Sequence, residues 1–171
     1  MLGSHRDALL LVHVIWCTRD RRPILATADD AWLHDIITKT TAALGARVIA
    51  VGNAADHVHV VASHPAQLAL TDLVQRIKGV SSHSWNLHPT RPSLRWQRGY
   101  WARSIDQATL TGLVPYVVHQ RQHHASRQAC ERWEQNAANA FDRPEARPPG
   151  GLTNPSVPPA LAGGKRLAEH C

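Results

Sequence analysis

At 171 residues the chain has room for one domain with a buried core and a short extension. Apolar residues make up 43% and mean hydropathy is −0.30, values of a soluble globular protein, and no uncharged apolar run reaches membrane-spanning length. There are 19 Lys+Arg against 13 Asp+Glu, a formal charge of +6, which suits a polyanionic partner or an ordinary arginine-rich surface. The three cysteines have neither disulfide-framework nor zinc-knuckle spacing. No secretory signal is readable at the N-terminus, so the expected compartment is the cytoplasm.

In chain order, residues 8–18 (ALLLVHVIWCT) are a continuous, β-branched apolar run, the pattern of a buried strand. Arg19, Asp20, Arg21, Arg22 and Pro23 make a basic loop. Thr27 stands at capping-box spacing from Asp30, and Leu33, Ile36, Ile37, Thr40 and Leu44 follow at helical intervals until Gly45 ends the pattern. Strands are expected at 47–53 (RVIAVGN) and 57–63 (HVHVVAS), paired through a short Ala54-Ala55-Asp56 turn. Leu70, Leu73, Val74, Ile77 and Val80 mark a second amphipathic helix running to about Trp85. A proline-rich loop then leads to a fourth strand with its approach, residues 94–105 (LRWQRGYWARSI). From Asp106 the pattern is helical to about His124, and Gly112 with Pro115 predicts a kink or restart near Val114.

The order β-α-β-β-α-β predicts an α+β, ferredoxin-like fold, an antiparallel sheet with both helices on one face, followed by a C-terminal helix. One domain is expected over residues 8–135, with a flexible N-terminus at 1–7. Residues 136–171 are rich in Pro and Gly without apolar periodicity, and read as a disordered tail.

Chemistry concentrates in two places. His57 and His59, at i and i+2 on a strand, project from one face and offer two ligands to a divalent ion. With twelve histidines in the chain, roughly one His-x-His arises by chance, so a solvated strand face is an equal reading of the motif alone. Tyr116 and Gln120, at i and i+4, share a helix face. Glutamine brings a hard oxygen suited to Mg²⁺ or Mn²⁺, and tyrosine a phenol able to attack phosphorus; core packing is the alternative for Tyr116. Asp56 could orient a histidine, although a turn role is the simpler reading. His119, His123 and His124 form a competing helical cluster, and Tyr100 is the second candidate nucleophile. Arg19, Arg21, Arg22, Lys78, Arg95, Arg98, Arg103 and Arg121 lie near these motifs in sequence. Trp96 and Trp101 interleave with the arginines, a composition that suits single-stranded nucleic acid or, equally for each Trp, a packed core.

These motifs stand in a characteristic order. Thr18 to Pro23 follows the first strand; Asp56-His57-Val58-His59-Val60 comes next. Then come Lys78-Gly79-Val80-Ser81-Ser82, the Trp96 to Ser104 stretch with Gly99-Tyr100-Trp101, and Tyr116-Val117-Val118-His119-Gln120. Over residues 8–125 the pattern resembles the single-tyrosine HUH transposases of the small insertion-sequence type and their repeat-associated domesticated relatives. The resemblance implies a metal, Mg²⁺ or Mn²⁺, on His57, His59 and Gln120, and Tyr116 as nucleophile. It also implies a homodimer, and as substrate single-stranded DNA with hairpin ends, cut and rejoined through a 5′-phosphotyrosine. Arg19, Arg21, Arg22, Lys78, Arg98 and Arg103 are the expected DNA contacts. A non-catalytic DNA-binding relative acting on hairpin repeats, and a metallohydrolase using the histidines alone, are the alternatives. Pro115 beside the nucleophile and the proline-rich tail depart from the family pattern.

Overall fold

Alternation along the strands builds two cores, one on each face of a single sheet. The computed structural model describes residues 10–126, 130, 133 and 134; the readings of 1–7 and 136–171 lie outside them. β1 (Leu10–Cys17), β2 (Arg47–Asn53), β3 (His57–His64) and β4 (Trp101–Ser104) pair in the order β2-β3-β1-β4, antiparallel throughout. This is the strand order of a split β-α-β unit, with the first and third strands central.

Val12, Val14 and Trp16 of β1 and Val58, Val60 and Ala62 of β3 point to one face. There they meet Leu33 and Ile37 of α1 (Asp30–Ala43) and Leu73, Val74, Ile77 and Trp85 of α2 (Leu70–Asn86). Each interior strand position thus has an apolar partner across the layer, the dominant stabilising term in a domain of this size. A short 3₁₀ turn, Thr27–Asp29, leads into α1; the residue before the helix makes no side-chain cap, so the expected capping box does not form. Gly45 ends the helix at φ +75°, a conformation glycine takes without strain.

The opposite face is covered by α3 (Gln107–Val118) and α4 (Gln120–Ala125). Ala50 and Val61 of the sheet pack there on Leu113, Tyr116 and Val117 of α3. α3 starts at Asp106, whose carboxylate accepts from Thr109 N at 2.7 Å. It crosses β2 at Gly52, where a Cβ would lie 1.7 Å from the Val117 carbonyl oxygen. Only glycine allows this approach.

The structure sharpens one sequence expectation and moves another. Within the fourth strand and its approach at 94–105, Trp101–Ser104 are the residues that pair with β1, while Trp96 in the approach makes a single bridge to Thr18. In the irregular stretch between them the Lys78 ammonium donates to the carbonyls of Gln97, Arg98 and Gly99. The last helix breaks at His119 rather than near Val114. Pro115 is accommodated within α3, and both the backbone N and ring Nδ1 of His119 meet the Pro115 carbonyl before α4 begins. Among the described residues no helix is long and apolar enough to cross a membrane.

Candidate active site

His57 and His59 lie on the sheet face away from the α1/α2 core, opposite Cys17 and Ile15 of β1. The expectation of a shared face holds, but the face is not solvated: α3 and α4 cover it and both side chains are fully buried. Buried imidazoles need partners, and each has one at Nδ1. His57 Nδ1 is 2.6 Å from Asp56 Oδ1, and His59 Nδ1 is 3.0 Å from His13 Nε2. Asp56 therefore orients a histidine instead of merely forming a turn. Arg21 holds Asp56 in turn, its Nε 2.9 Å from Oδ2. With Nδ1 occupied on both rings, both Nε2 atoms are left to face one point.

At that point lies Glu134, which the sequence reading did not single out. One of its oxygens is 3.3 Å from His59 Nε2 and 3.4 Å from His124 Nε2, and the other is 3.7 Å from His57 Nε2. The donor atoms of His57, His59 and Glu134 all fall within 4.8 Å of one another. Gln120, fully buried, donates from Nε2 to Glu134 and sits 3.3 Å from His57 Nε2. Tyr116 donates its hydroxyl proton to the same Glu134 oxygen at 2.6 Å and receives the Cys130 N–H at 3.2 Å. Tyr116 and Gln120 thus reach one centre from two helices separated by the break at His119. Trp133 and His123 pack on the Tyr116 ring, with centroids 4.8 Å away in each case.

The electrostatics follow from burial. Desolvation pushes His59 down to about 4, against the pull of Glu134, and His13 down to about 3. Burial would raise the Glu134 carboxyl, but the His124 and His59 imidazoles and the Tyr116 hydroxyl beside it outweigh this and hold it far below the carboxylate range. Burial, then the hydrogen bond and charge of Glu134, push the Tyr116 phenol up, so it is protonated in this arrangement.

The donor set fits a hard divalent cation. Gln120 Oε1 is buried without a hydrogen-bond partner, and the buried Nε2 atoms of His59 and His124 have only their contacts with Glu134. A half-turn of the Gln120 amide exchanges its nitrogen and oxygen and would present the oxygen to the centre. Two imidazole nitrogens, a carboxylate and an amide oxygen make a mixed N/O set.

The expected basic contacts divide. Arg21 is committed to Asp56 and to Cys17 Sγ, and Lys78 to three carbonyls. Arg121 grips Asp30 with two nitrogens and is structural. Arg19, Arg22 and Arg98 line surface cavities beside α2 and the 19–24 turn, and Arg103 lines a third next to His13. Of the histidine cluster, only His124 reaches the centre. Tyr100 lies elsewhere, bonded to Thr71.

A ferredoxin-like domain with a buried centre of two histidines, a glutamine, a carboxylate and a tyrosine is thereby defined. The profile of the family described as transposase IS200-like matches residues 8–120, and the chain belongs to that family. It is 28% identical over 116 residues to the ISDra2 transposase TnpA of Deinococcus radiodurans, a match covering 63% of this chain and 81% of that protein. Two solved structures share the fold at a TM-score of 0.55. One is a putative transposase from Deinococcus radiodurans, 22% identical, covering 71% of this chain and 98% of that one. The other is a REP-associated tyrosine transposase bound to a REP hairpin, 17% identical, covering 98% of this chain and 100% of that one.

Proposed function

We propose that this transposase cuts and rejoins single-stranded DNA with hairpin ends through a covalent 5′-phosphotyrosine on Tyr116, assisted by Mg²⁺ or Mn²⁺ on His57, His59, Gln120 and Glu134. The observation that carries the reading is convergence: the Tyr116 hydroxyl and the His59 Nε2 meet the same carboxylate oxygen, at 2.6 Å and 3.3 Å. A phenol and a ligand set within one coordination sphere suit attack on a polarised phosphate.

When bound, the cation would polarise the scissile phosphate and offset its charge. Asp56 and His13 hold the two imidazoles in the orientation that aims Nε2 at it. Glu134, the stacked His123 ring and the tilted Trp133 ring fix the phenol. As the Tyr116 oxygen bonds to phosphorus, the bond from phosphorus to the 3′-oxygen breaks, and in net terms the phenolic proton ends on that oxygen. A second 3′-hydroxyl then attacks the phosphotyrosine, the new phosphodiester forms and Tyr116 recovers its proton. The covalent link conserves the phosphodiester energy, so joining needs no ATP.

Incubation of the protein with labelled single-stranded hairpin DNA and Mn²⁺ should give a covalent adduct on a denaturing gel. Tyr116→Phe should lose it and Tyr100→Phe should keep it. An adduct surviving in Tyr116→Phe would overturn the nucleophile assignment; none with the unmodified protein across many hairpins would favour the non-catalytic binder. The proposal includes a homodimer, on family resemblance, which light scattering would report as about twice 18.9 kDa.

A further inference from the structure

Away from the histidine centre, two cavities adjoin on the α2 side of the sheet. The first, about 510 Å³, opens between α2 and residues 94–100, with Val74, Leu94 and Trp96 among its apolar lining and Tyr100 at its edge. The second, about 460 Å³, is polar and lined by Arg19, Arg22 and Arg95, with Asp20, Ile24 and Ser93. Arg19 and Arg95 line both, so an apolar, aromatic compartment and an arginine compartment share a wall.

This wall is braced. Asp20 and Arg21 both adopt left-handed backbone angles, φ 57° and φ 50°, which cost non-glycine residues energy and persist only where surroundings enforce them. Thr18 Oγ1 bonds the Arg22 carbonyl at 2.7 Å, Arg19 N bonds the Arg95 carbonyl at 2.7 Å, and Arg21 is tied to Asp56. Across the cavity, Lys78 fixes the carbonyls of 97–99 and the Asn86 amide bonds both N and O of Leu94. A preformed cavity with apolar walls and few fixed polar groups is the usual form of a small-ligand site. The same turn leads to the active site, since Thr18 N bonds the Asp56 carbonyl next to His57.

We propose that these joined cavities hold one unpaired nucleotide of single-stranded DNA, its base against Trp96 and Tyr100 and its phosphate among Arg19, Arg22 and Arg95. Stacking and arginine contacts are the two terms that bind single strands, and here they are separated at a shared wall. The inference rests on the reading that the protein acts on DNA. It adds a docking point that positions the strand whose phosphate enters the histidine centre.

Gly79 gives a clean test. It lines the first cavity, sits within α2, and a Cβ there would meet nothing within 4 Å. Gly79→Leu should therefore fill the cavity while favouring the helix. Binding of a fluorescein-labelled single-stranded oligonucleotide to the full chain would be followed by anisotropy in EDTA, where no metal-assisted cleavage intervenes. We expect Gly79→Leu to weaken binding about tenfold or more with an undiminished melting temperature. Arg19→Ala combined with Arg95→Ala should weaken it and lower the salt slope by about two. An otherwise identical oligonucleotide made fully abasic should bind the unmodified protein and Gly79→Leu alike. Unchanged binding by Gly79→Leu, or equal loss with the abasic strand, would overturn the base pocket. The assay in EDTA reads binding alone, whereas the nucleophile assignment is read by adduct formation with Mn²⁺, so failure of that assignment and failure of the pocket give different results.

Discussion

At the scale of single residues, the centre depends on side chains that hold other side chains. Asp56 is the clearest case, because it accepts from His57 Nδ1 at 2.6 Å and is itself tethered by Arg21. The His57 hydrogen bond and the nearby cationic groups keep its carboxyl low despite the cost of burial. Asp56→Asn retains an acceptor but removes the charge that stabilises the ring's orientation. It should weaken Mn²⁺ binding by roughly tenfold, the lower range for lost partners of metal-bound histidines, as read by titration calorimetry. Unaltered affinity would leave Asp56 with only its turn role. Glu134→Gln is expected to have a similar effect if that carboxylate is a ligand, and calorimetry of the two variants side by side reads both. Strand and helix periodicities made His57 with His59, and Tyr116 with Gln120, legible as two pairs, and the family resemblance implied that the pairs belong to one centre. His13 and Glu134 were not legible. His13 is a lone polar residue in an apolar strand, and only the pairing of β1 with β3 puts it against His59. Glu134 has no spacing relation to the other ligands at all.

Among elements, the decisive contact is the seating of α3 on β2. The Val117 carbonyl lies where a Gly52 Cβ would be, so the helix bearing Tyr116 docks at a distance set by a missing side chain. Gly52→Ala must displace either the helix or the strand, and Gly52 pairs with His59. Overpacking of this kind costs roughly 1–3 kcal/mol. A lowered urea midpoint with reduced adduct yield is the expected result, and a variant as stable as the parent would show that the seam can relax. The sequence pattern marked a break in this last helix but misplaced it. Proline lacks an N–H and was the natural candidate, yet α3 runs three residues beyond Pro115. The break falls at His119, whose backbone and ring both turn to the Pro115 carbonyl. In the approach to the fourth strand, Leu94, Trp96 and Tyr100 line a cavity beside Lys78 and form no ladder.

For the whole molecule, placing the histidines between sheet and helices has a thermodynamic consequence. Burial holds His13 at about 3 and His59 at about 4, whereas in the unfolded chain both titrate near 6.5. As pH falls through 6.5 the unfolded chain takes up protons on these groups and the metal-free folded one does not. Stability is therefore complete above that value and declines down to about 4, where His59 begins to protonate in place, and by up to about 1.4 kcal/mol per pH unit for each histidine. Urea unfolding of the metal-free protein at pH 7.5, 6 and 5 should show the midpoint moving down, and less so in His13→Gln. A midpoint independent of pH over that range would mean the two rings are not buried neutral.

The sequence by itself determined the β-α-β-β-α-β order, the α1/α2 core and the shared face of His57 and His59, because these follow from periodicities of two and 3.6 residues that act locally. It also set Tyr116 and Gln120 four residues apart, and the structure brings both to Glu134 from two helices. Only the tertiary structure decided that the histidine face is dry, that His13 and Asp56 fix the rings, and that Glu134 closes the centre. Those outcomes depend on which strands pair and which helix covers which face. They are contacts between residues distant in sequence, and no local period encodes them.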